Sequence, residues 1–108
     1  MASRDESFKD FVLDQLQDLG GVGARRMFGG HGLYQDETFF GIIHKDHLYF
    51  KTDEHTVAAY RRRKMKPFRP NPKQTLRSYY QVPVEIIEDG DRLGAWAEAA
   101  IRCQRKKD

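Results

Sequence analysis

The sequence predicts an α+β domain in which helices pack on an antiparallel sheet of about five strands. Apolar residues recur at helical spacing at both ends of the chain, the pattern changes to strand alternation between them, and glycine or short polar segments separate the strands. A chain of 108 residues is long enough for one modest core. We therefore expect a single two-layer domain over residues 1–108, in the order helix, three strands, helix, two strands, helix.

The first predicted element is an amphipathic helix over residues 7–19. Its apolar residues follow helical spacing, with acidic residues on the other faces. Gly20 and Gly21 then stop the helix, because glycine readily adopts the conformation that ends helices. The helix is predicted to lie on the core through Phe8, Phe11, Val12, Leu16 and Leu19.

A glycine cluster dominates the strand region that follows. Three glycines within four positions interrupt the predicted strand segment 24–35. Glycine tolerates positive φ and lets two backbones approach closely, so the cluster indicates a sharp bend or bulge. We assign Gly29, Gly30 and Gly32 to a structural turn between two strands.

Two further strands are predicted after this bend. Residues 38–44 are rich in aromatic and β-branched side chains, and residues 47–52 alternate apolar and polar side chains. Asp36-Glu37 and Lys45-Asp46 fall where the hairpin turns should be. Neither dipeptide is typical of a short turn, so the strands are better defined than the loop lengths.

The second half of the chain predicts a short helix capped by Thr52 or Asp53 that continues through Tyr60 into an arginine run. Three prolines between residues 67 and 72 then exclude helix and predict an extended, loop-rich connection. Another strand is expected near residues 76–82.

The last helix has the clearest pattern of the chain. Apolar residues repeat at i, i+3, i+4, i+7 and i+8 from Leu93 to Ile101, behind an expected Asp91 cap. Cations follow at the C-terminal end, where they interact favourably with the helix dipole.

Composition narrows the class of protein. No apolar run approaches the roughly 18 residues that a membrane-spanning helix needs, and the N-terminus leads directly into charged residues. The expected location is the cytoplasm. The single cysteine, Cys103, fits a reducing compartment and is expected to be a bystander in a helix.

Five segments of the chain carry a family resemblance through their order and spacing. They are Met27 to Tyr34, Leu48 to Asp53, Pro67-Phe68, Tyr79 to Pro83, and Leu93 with Trp96-Ala97. Together they resemble the N-terminal domain of the TfoX (Sxy) competence regulators. The resemblance implies a bacterial, secretion-chaperone-like α+β domain linked to transcription of DNA-uptake genes alongside the cyclic-AMP receptor protein. Full-length regulators of that family continue into a helical domain, so we expect a stand-alone N-terminal domain here.

Positive charge is concentrated in one segment. Residues 55–84 hold eight bases and no acid, although the net charge of the whole chain is only +3. Such a segment is typical of a surface that binds nucleic acid or an acidic protein, and also of a solvated helix end. The candidate surface comprises Arg61, Arg62, Arg63, Lys64, Lys66, Arg69, Lys73 and Arg77.

No catalytic constellation is visible in the sequence. His44 and His47 would face each other across a two-residue turn, but a third metal ligand has no obvious source, so we predict no metal site. The glycine clusters do not follow a strand and open a helix, as a phosphate loop does. We predict no catalytic residue and no cofactor.

Three functions therefore stand as hypotheses. The first is a non-enzymatic protein-interaction domain that regulates competence or other gene expression, with transcription machinery as a possible partner and a homodimer as a possible state. The second is direct nucleic-acid binding through residues 61–77, with Tyr60, Phe68, Tyr79 and Tyr80 as stacking rings. The third is a small-molecule or enzymatic site, for which the chain offers no positioned polar group.

Overall fold

The computed structural model describes residues 4–27 and 29–105. A six-stranded antiparallel sheet carries the helices of this α+β fold. The helices are α1 (Arg4–Gln15), a 3₁₀ turn (Gln17–Leu19), α2 (Val57–Arg62), α3 (Val84–Ile87) and α4 (Gly90–Arg105). The strands are β1 (Val22–Met27), β2 (Gly30–Gln35), β3 (Thr38–His44), β4 (His47–Lys51), β5 (Pro67–Asn71) and β6 (Gln74–Gln81). The sheet order is β1-β2-β3-β4-β6-β5, so β1 and β5 are the edge strands. The predicted fold class is confirmed.

The strand count differs from the prediction because four strands, β1 to β4, precede α2 where three were expected, and of the two that follow it β5 is formed by the proline-rich stretch, for which a loop-rich connection was predicted. Pro67 and Pro70 both lie in this strand, which pairs only with β6 and does so with two register irregularities. Proline has no N–H to donate, and an edge strand tolerates this because one side of its backbone has no strand partner. Prolines therefore excluded helix here, as expected, but did not exclude a strand.

The helix boundaries also differ from the predicted ones. The helix predicted over residues 7–19 is instead α1, which ends at Gln15, followed by the 3₁₀ turn, and α3 was not predicted at all. Asp91 lies inside the first turn of α4 and is not its cap. The carboxylate of Asp89 accepts the backbone N–H of Arg92 at 3.2 Å instead. The missed helix α3 is only four residues long, too short to show a period.

The predicted glycine turn divides between a reversal and a strand. Gly29 lies at the β1–β2 reversal with φ of 77°, next to Phe28, which lies outside the described residues. Gly30 and Gly32 instead belong to β2 and are buried. A Cβ on Gly30 would overlap the Ile43 carbonyl oxygen of β3. These two glycines therefore serve close packing of the strand, not a change of chain direction.

The β2–β3 and β3–β4 hairpins have two-residue turns. Thr38 pairs with Gln35, and His47 pairs with His44, so that each turn spans two positions. Lys45 and Asp46 have φ of 50° and 65°, the left-handed values that such a turn requires at both positions. The turn forms with residues that lack glycine's conformational freedom.

The helices cover one face of the sheet. Leu48 and Phe50 of β4 point to this face and belong to the same buried cluster as Leu93 and Ala97 of α4. Tyr49, which alternates between them, belongs to a second cluster on the opposite face. That cluster is centred on Ile42, Phe68 and Tyr79, with Phe39, Tyr49 and Leu76 packed around it.

The apolar stripe of α1 is only partly used by the core. Val12 and Leu16 are fully buried, and Phe8 and Leu19 pack against the same cluster. Phe11 is 43% exposed. The prediction that the whole stripe lies on the core is therefore wrong at Phe11, which lies at the side of the helix and not beneath it.

Candidate functional site

The eight cations of residues 61–77 lie along one edge of the sheet. Four follow one another at the end of α2, and the others extend from Lys66 along the β5–β6 hairpin. Strand β5 is the edge strand on this side of the sheet, and α2 contacts β6 beside it. We call this surface the basic edge, and it comprises Arg61, Arg62, Arg63, Lys64, Lys66, Arg69, Lys73 and Arg77.

The end of α2 places a lysine where glycine is usual. Lys64 has φ of 60°, its N–H donates to the Arg61 carbonyl at 2.9 Å, and the Met65 N–H donates to the Tyr60 carbonyl at 3.0 Å. These two bonds define a Schellman motif, whose left-handed position is usually occupied by glycine. A side chain at this position carries a conformational cost that glycine would avoid.

Arg63 differs from the other seven cations because it is half-buried. Its guanidinium carbon lies 5.3 Å from the centre of the Trp96 ring, and its Nε lies 4.0 Å from a Glu85 carboxylate oxygen. It also donates to the Ala59 carbonyl at 3.4 Å. Arg63 therefore links α2 to α3 and α4, and its charge is largely used within the fold.

The other seven side chains of the basic edge are exposed. Arg69 donates to the Pro72 carbonyl at 2.7 Å and so stabilises the β5–β6 turn. Between residues 4–27 and 29–105, no salt bridge involves any of these seven, whereas Arg63 has one. Exposed cations without carboxylate partners are available to a negatively charged surface.

The aromatic rings near the basic edge are not available for stacking. Tyr60 is 3% exposed, Phe68 is fully buried and Tyr79 is 8% exposed. Tyr80 is half-buried, with its ring 6.0 Å from the Tyr60 ring. Burial raises the pKa of Tyr79 to about 12 and raises that of Tyr60 further, as expected for phenols withdrawn from water. The four rings proposed for base stacking therefore belong to the packing of the sheet.

The segment before α2 is fixed by a compact hydrogen-bonded turn. The Asp53 carboxylate accepts the backbone N–H groups of His55 and Thr56, each at 2.9 Å, and the Asp53 N–H donates to Thr56 Oγ1 at 3.0 Å. The backbone N–H of Thr56 contributes most to holding the pKa of Asp53 below its ordinary value of 3.8. The helix itself begins at Val57, later than the predicted caps suggested.

Cys103 faces this turn from α4. Its Sγ lies 3.7 Å from Thr56 Oγ1, and the residue is only 6% exposed. The thiol is buried between α4 and the start of α2. A buried position of this kind is typical of a structural cysteine.

The histidines occupy separate environments. His44 and His47 are directly opposite across their hairpin, as the sequence suggested, but each contacts a different neighbour. The His44 ring lies 5.3 Å from the Phe68 ring, and His47 Nδ1 lies 3.2 Å from Gln81 Nε2. His31 is buried and His55 is exposed. In the described part of the chain, no three His, Cys, Asp or Glu side chains come together in a way that could hold a metal ion.

His31 belongs to a charged cluster beneath α1. Its Nε2 lies 3.4 Å from a Glu6 carboxylate oxygen, and Arg26 reaches the same oxygen at 3.5 Å. Lys9 contacts the other Glu6 oxygen at 2.9 Å, and this hydrogen bond is the main cause of the lowered pKa of Glu6. The cluster connects the first helix to β1 and β2.

The fold and this surface define a small α+β domain with seven exposed cations that form no salt bridge with the described residues. The family model of the TfoX N-terminal domain matches residues 14–104, and the chain belongs to that family. No curated protein matches the chain significantly. Among the described residues, no helix is long and apolar enough to cross a membrane.

Proposed function

We propose that this chain is a non-enzymatic regulatory domain that binds an acidic protein partner through its basic edge. Membership of the TfoX N-terminal domain family supports a competence-related regulatory role. The observation that carries the proposal is the set of seven exposed cations without a salt bridge in the described ranges. We place the domain in the regulation of DNA-uptake genes, through contact with the transcription machinery.

Lys64 supports a functional role for this surface. A left-handed backbone conformation costs a lysine roughly 1–2 kcal/mol, and glycine would avoid that cost. Lys45, the other lysine with positive φ, lies in the tight turn between β3 and β4 and is not one of the residues of the basic edge. A strained cation next to Arg61 and Arg62 is readily explained if its charge is needed for binding.

A protein partner is favoured over single-stranded nucleic acid because of the buried rings. Single-strand binding usually combines cations with exposed aromatic rings on which bases stack. Here Tyr60, Phe68 and Tyr79 are buried. The basic edge therefore offers charge without a stacking platform.

Direct binding to duplex DNA is the second candidate function. It is favoured by the density of Arg61, Arg62, Lys64 and Lys66 within six residues, because phosphate contacts need only positioned cations. In that case, affinity for an unrelated duplex would fall steeply between low and moderate salt.

The test compares two double variants in a pull-down from bacterial lysate. Arg61→Glu/Arg62→Glu reverses two charges of the basic edge, and Arg92→Glu/Arg102→Glu reverses two exposed charges of α4 as the matched control. We expect the basic-edge variant to lose a partner that the wild type and the control both retain after nuclease treatment. Retention by all three proteins would contradict the proposal.

Two further results would separate the candidates. Loss of capture on nuclease treatment, together with salt-sensitive binding of the wild type to duplex DNA in fluorescence anisotropy, would establish the second function in place of the first. The regulatory role itself predicts altered transcripts of DNA-uptake genes when the gene is deleted. An unchanged transcriptome would remove that role while leaving the binding result intact.

A further inference from the structure

A second surface of the molecule combines exposed apolar side chains with acidic residues. A groove runs between α1 and α3 beside the β3–β4 turn, and its volume is about 180 Å³. The apolar residues that line it are Phe8, Phe11, Leu48, Val82, Val84 and Ile87.

The groove gathers the exposed apolar residues of the described chain. Phe11 is 43% exposed and Val84 is 64% exposed, and these two are the large apolar side chains left in solvent across residues 6–27 and 29–105. Phe11 lies three residues after Phe8 on α1, and Ile87 lies three residues after Val84 on α3. One member of each pair is buried or packed inward, because Phe8 packs against the core and Ile87 is 5% exposed. Helical residues at this spacing share a face, so the two pairs form the opposing walls of the groove.

The dimensions suit one side chain and not a whole metabolite. Small-molecule pockets usually enclose roughly 300–1,000 Å³, and this groove is smaller at about 180 Å³ and is open. A single large apolar side chain inserted between Phe11 and Val84 would remove both from water. Burial of apolar area in this way stabilises a complex by about 25 cal/mol per Å².

The carboxylates that line the groove are its charged lining residues, and exposed Lys45 lies beside Asp46 in the adjoining turn. Asp46 and Glu88 line it, and no lysine or arginine does so among the described lining residues. A second copy of this chain placed on the same groove would bring these carboxylates together, which is unfavourable. A partner carrying lysine or arginine beside its apolar residue would complement them.

We infer that the α1–α3 groove binds a basic segment of a partner protein, with one large apolar side chain of that segment inserted between Phe11 and Val84. The proposal is independent of the basic edge, because it concerns other residues and the opposite charge. Combined with the proposed function, on which this last step rests, it makes the domain an adaptor with two surfaces, one for an acidic partner and one for a basic partner.

The probes are two fluorescein-labelled amphipathic peptides with the same leucine positions. One carries lysine at every polar position and the other carries glutamate. We expect the lysine peptide to bind the full chain in fluorescence anisotropy, and Phe11→Ser, Val84→Ser and Glu88→Gln each to weaken it, by about tenfold for the two serine variants. Glu98→Gln removes an exposed charge of α4 outside the groove and should leave binding unchanged.

Several outcomes would overturn the inference. Equal affinity of the lysine peptide for the wild type and both serine variants would show that the groove is not used. Equal binding of both peptides in a groove-dependent manner would remove the charge argument. Self-association in sedimentation that is lost in Phe11→Ser would make a second copy the occupant. Phe11 and Val84 are exposed, so we expect the two serine variants to fold, and their melting temperatures check this. Glu88→Gln provides a further test that leaves the apolar walls intact.

Discussion

The Phe68 ring of β5 lies 4.6 Å from the Tyr49 ring of β4, although β6 separates the two strands in the sheet. The contact shows that the β5–β6 hairpin curves across the face of the sheet that the helices leave uncovered. Phe68 is fully buried there, against Ile42 and Tyr79. The same hairpin carries Arg69, Lys73 and Arg77, so this aromatic contact positions three of the eight cations of the basic edge.

Replacement of Phe68 should therefore destabilise the whole fold. Phe68→Ala removes a fully buried ring, and we expect a loss of about 3–5 kcal/mol in the free energy of unfolding. Phe11→Ala, at a ring that is 43% exposed, should cost less than about 1.5 kcal/mol. Urea unfolding followed by circular dichroism measures both. Similar costs for the two variants would show that Phe68 is not part of a second core.

Replacement of Gly30 tests the close approach of β2 and β3, and Gly23 provides the matched control. Both have ordinary strand conformations, but a Cβ on Gly30 would overlap the Ile43 carbonyl oxygen, whereas a Cβ on Gly23 would meet nothing within 4 Å. We expect Gly30→Ala to destabilise by about 1–3 kcal/mol and Gly23→Ala to be neutral or slightly stabilising. Thermal unfolding checks both. A harmless Gly30→Ala would mean that the strands can separate at little cost.

Lys64→Gly should raise stability and lower binding at the same time. Glycine relieves the left-handed strain at φ of 60°, which we expect to add about 0.5–1 kcal/mol to the free energy of unfolding. Loss of the cation should weaken capture of the acidic partner, by up to about fivefold. Lys45→Gly relieves the same strain in the β3–β4 turn and provides the control. If both variants gain stability and both bind normally, Lys64 has no role in recognition.

The Asp53 turn predicts a pH-dependent contribution to stability. Asp53 accepts two backbone N–H groups, and its pKa in the folded chain lies below the ordinary value of 3.8. Its contribution is thus complete above pH 3.8 and is lost as the pH falls through the lower folded pKa. We expect Asp53→Ala to cost about 0.5–2 kcal/mol at neutral pH, and the difference from wild type to shrink in acid.

Glu54→Ala serves as the control for that experiment because Glu54 is the exposed neighbour of Asp53. Melting temperatures recorded from neutral pH down to about pH 3 give the comparison. A difference between wild type and Asp53→Ala that grows in acid would reverse the expected sign and refute the role given to the carboxylate.

The local pattern of the chain was sufficient for most of the architecture. Alternation at Leu48 and Phe50 and helical spacing from Leu93 to Ile101 are local signals, and both elements form as predicted. The concentration of cations in residues 61–77 is also visible in the sequence. The local pattern did not predict α3, which is too short to show periodicity. It also did not predict β5, because prolines are unusual inside strands.

The sequence by itself determined the α+β class, the helical stripes and the separation of charge, because each depends on residues close together in the chain. Only the tertiary structure decided that Phe68, Tyr60 and Tyr79 are buried and that Phe11 is exposed. These outcomes depend on how distant segments pack, because Phe68 lies against Tyr49, whereas Phe11 forms part of the open wall of the α1–α3 groove. An apolar residue has the same hydrophobicity in either setting, and the strand order and helix placement determine whether another surface is present to cover it.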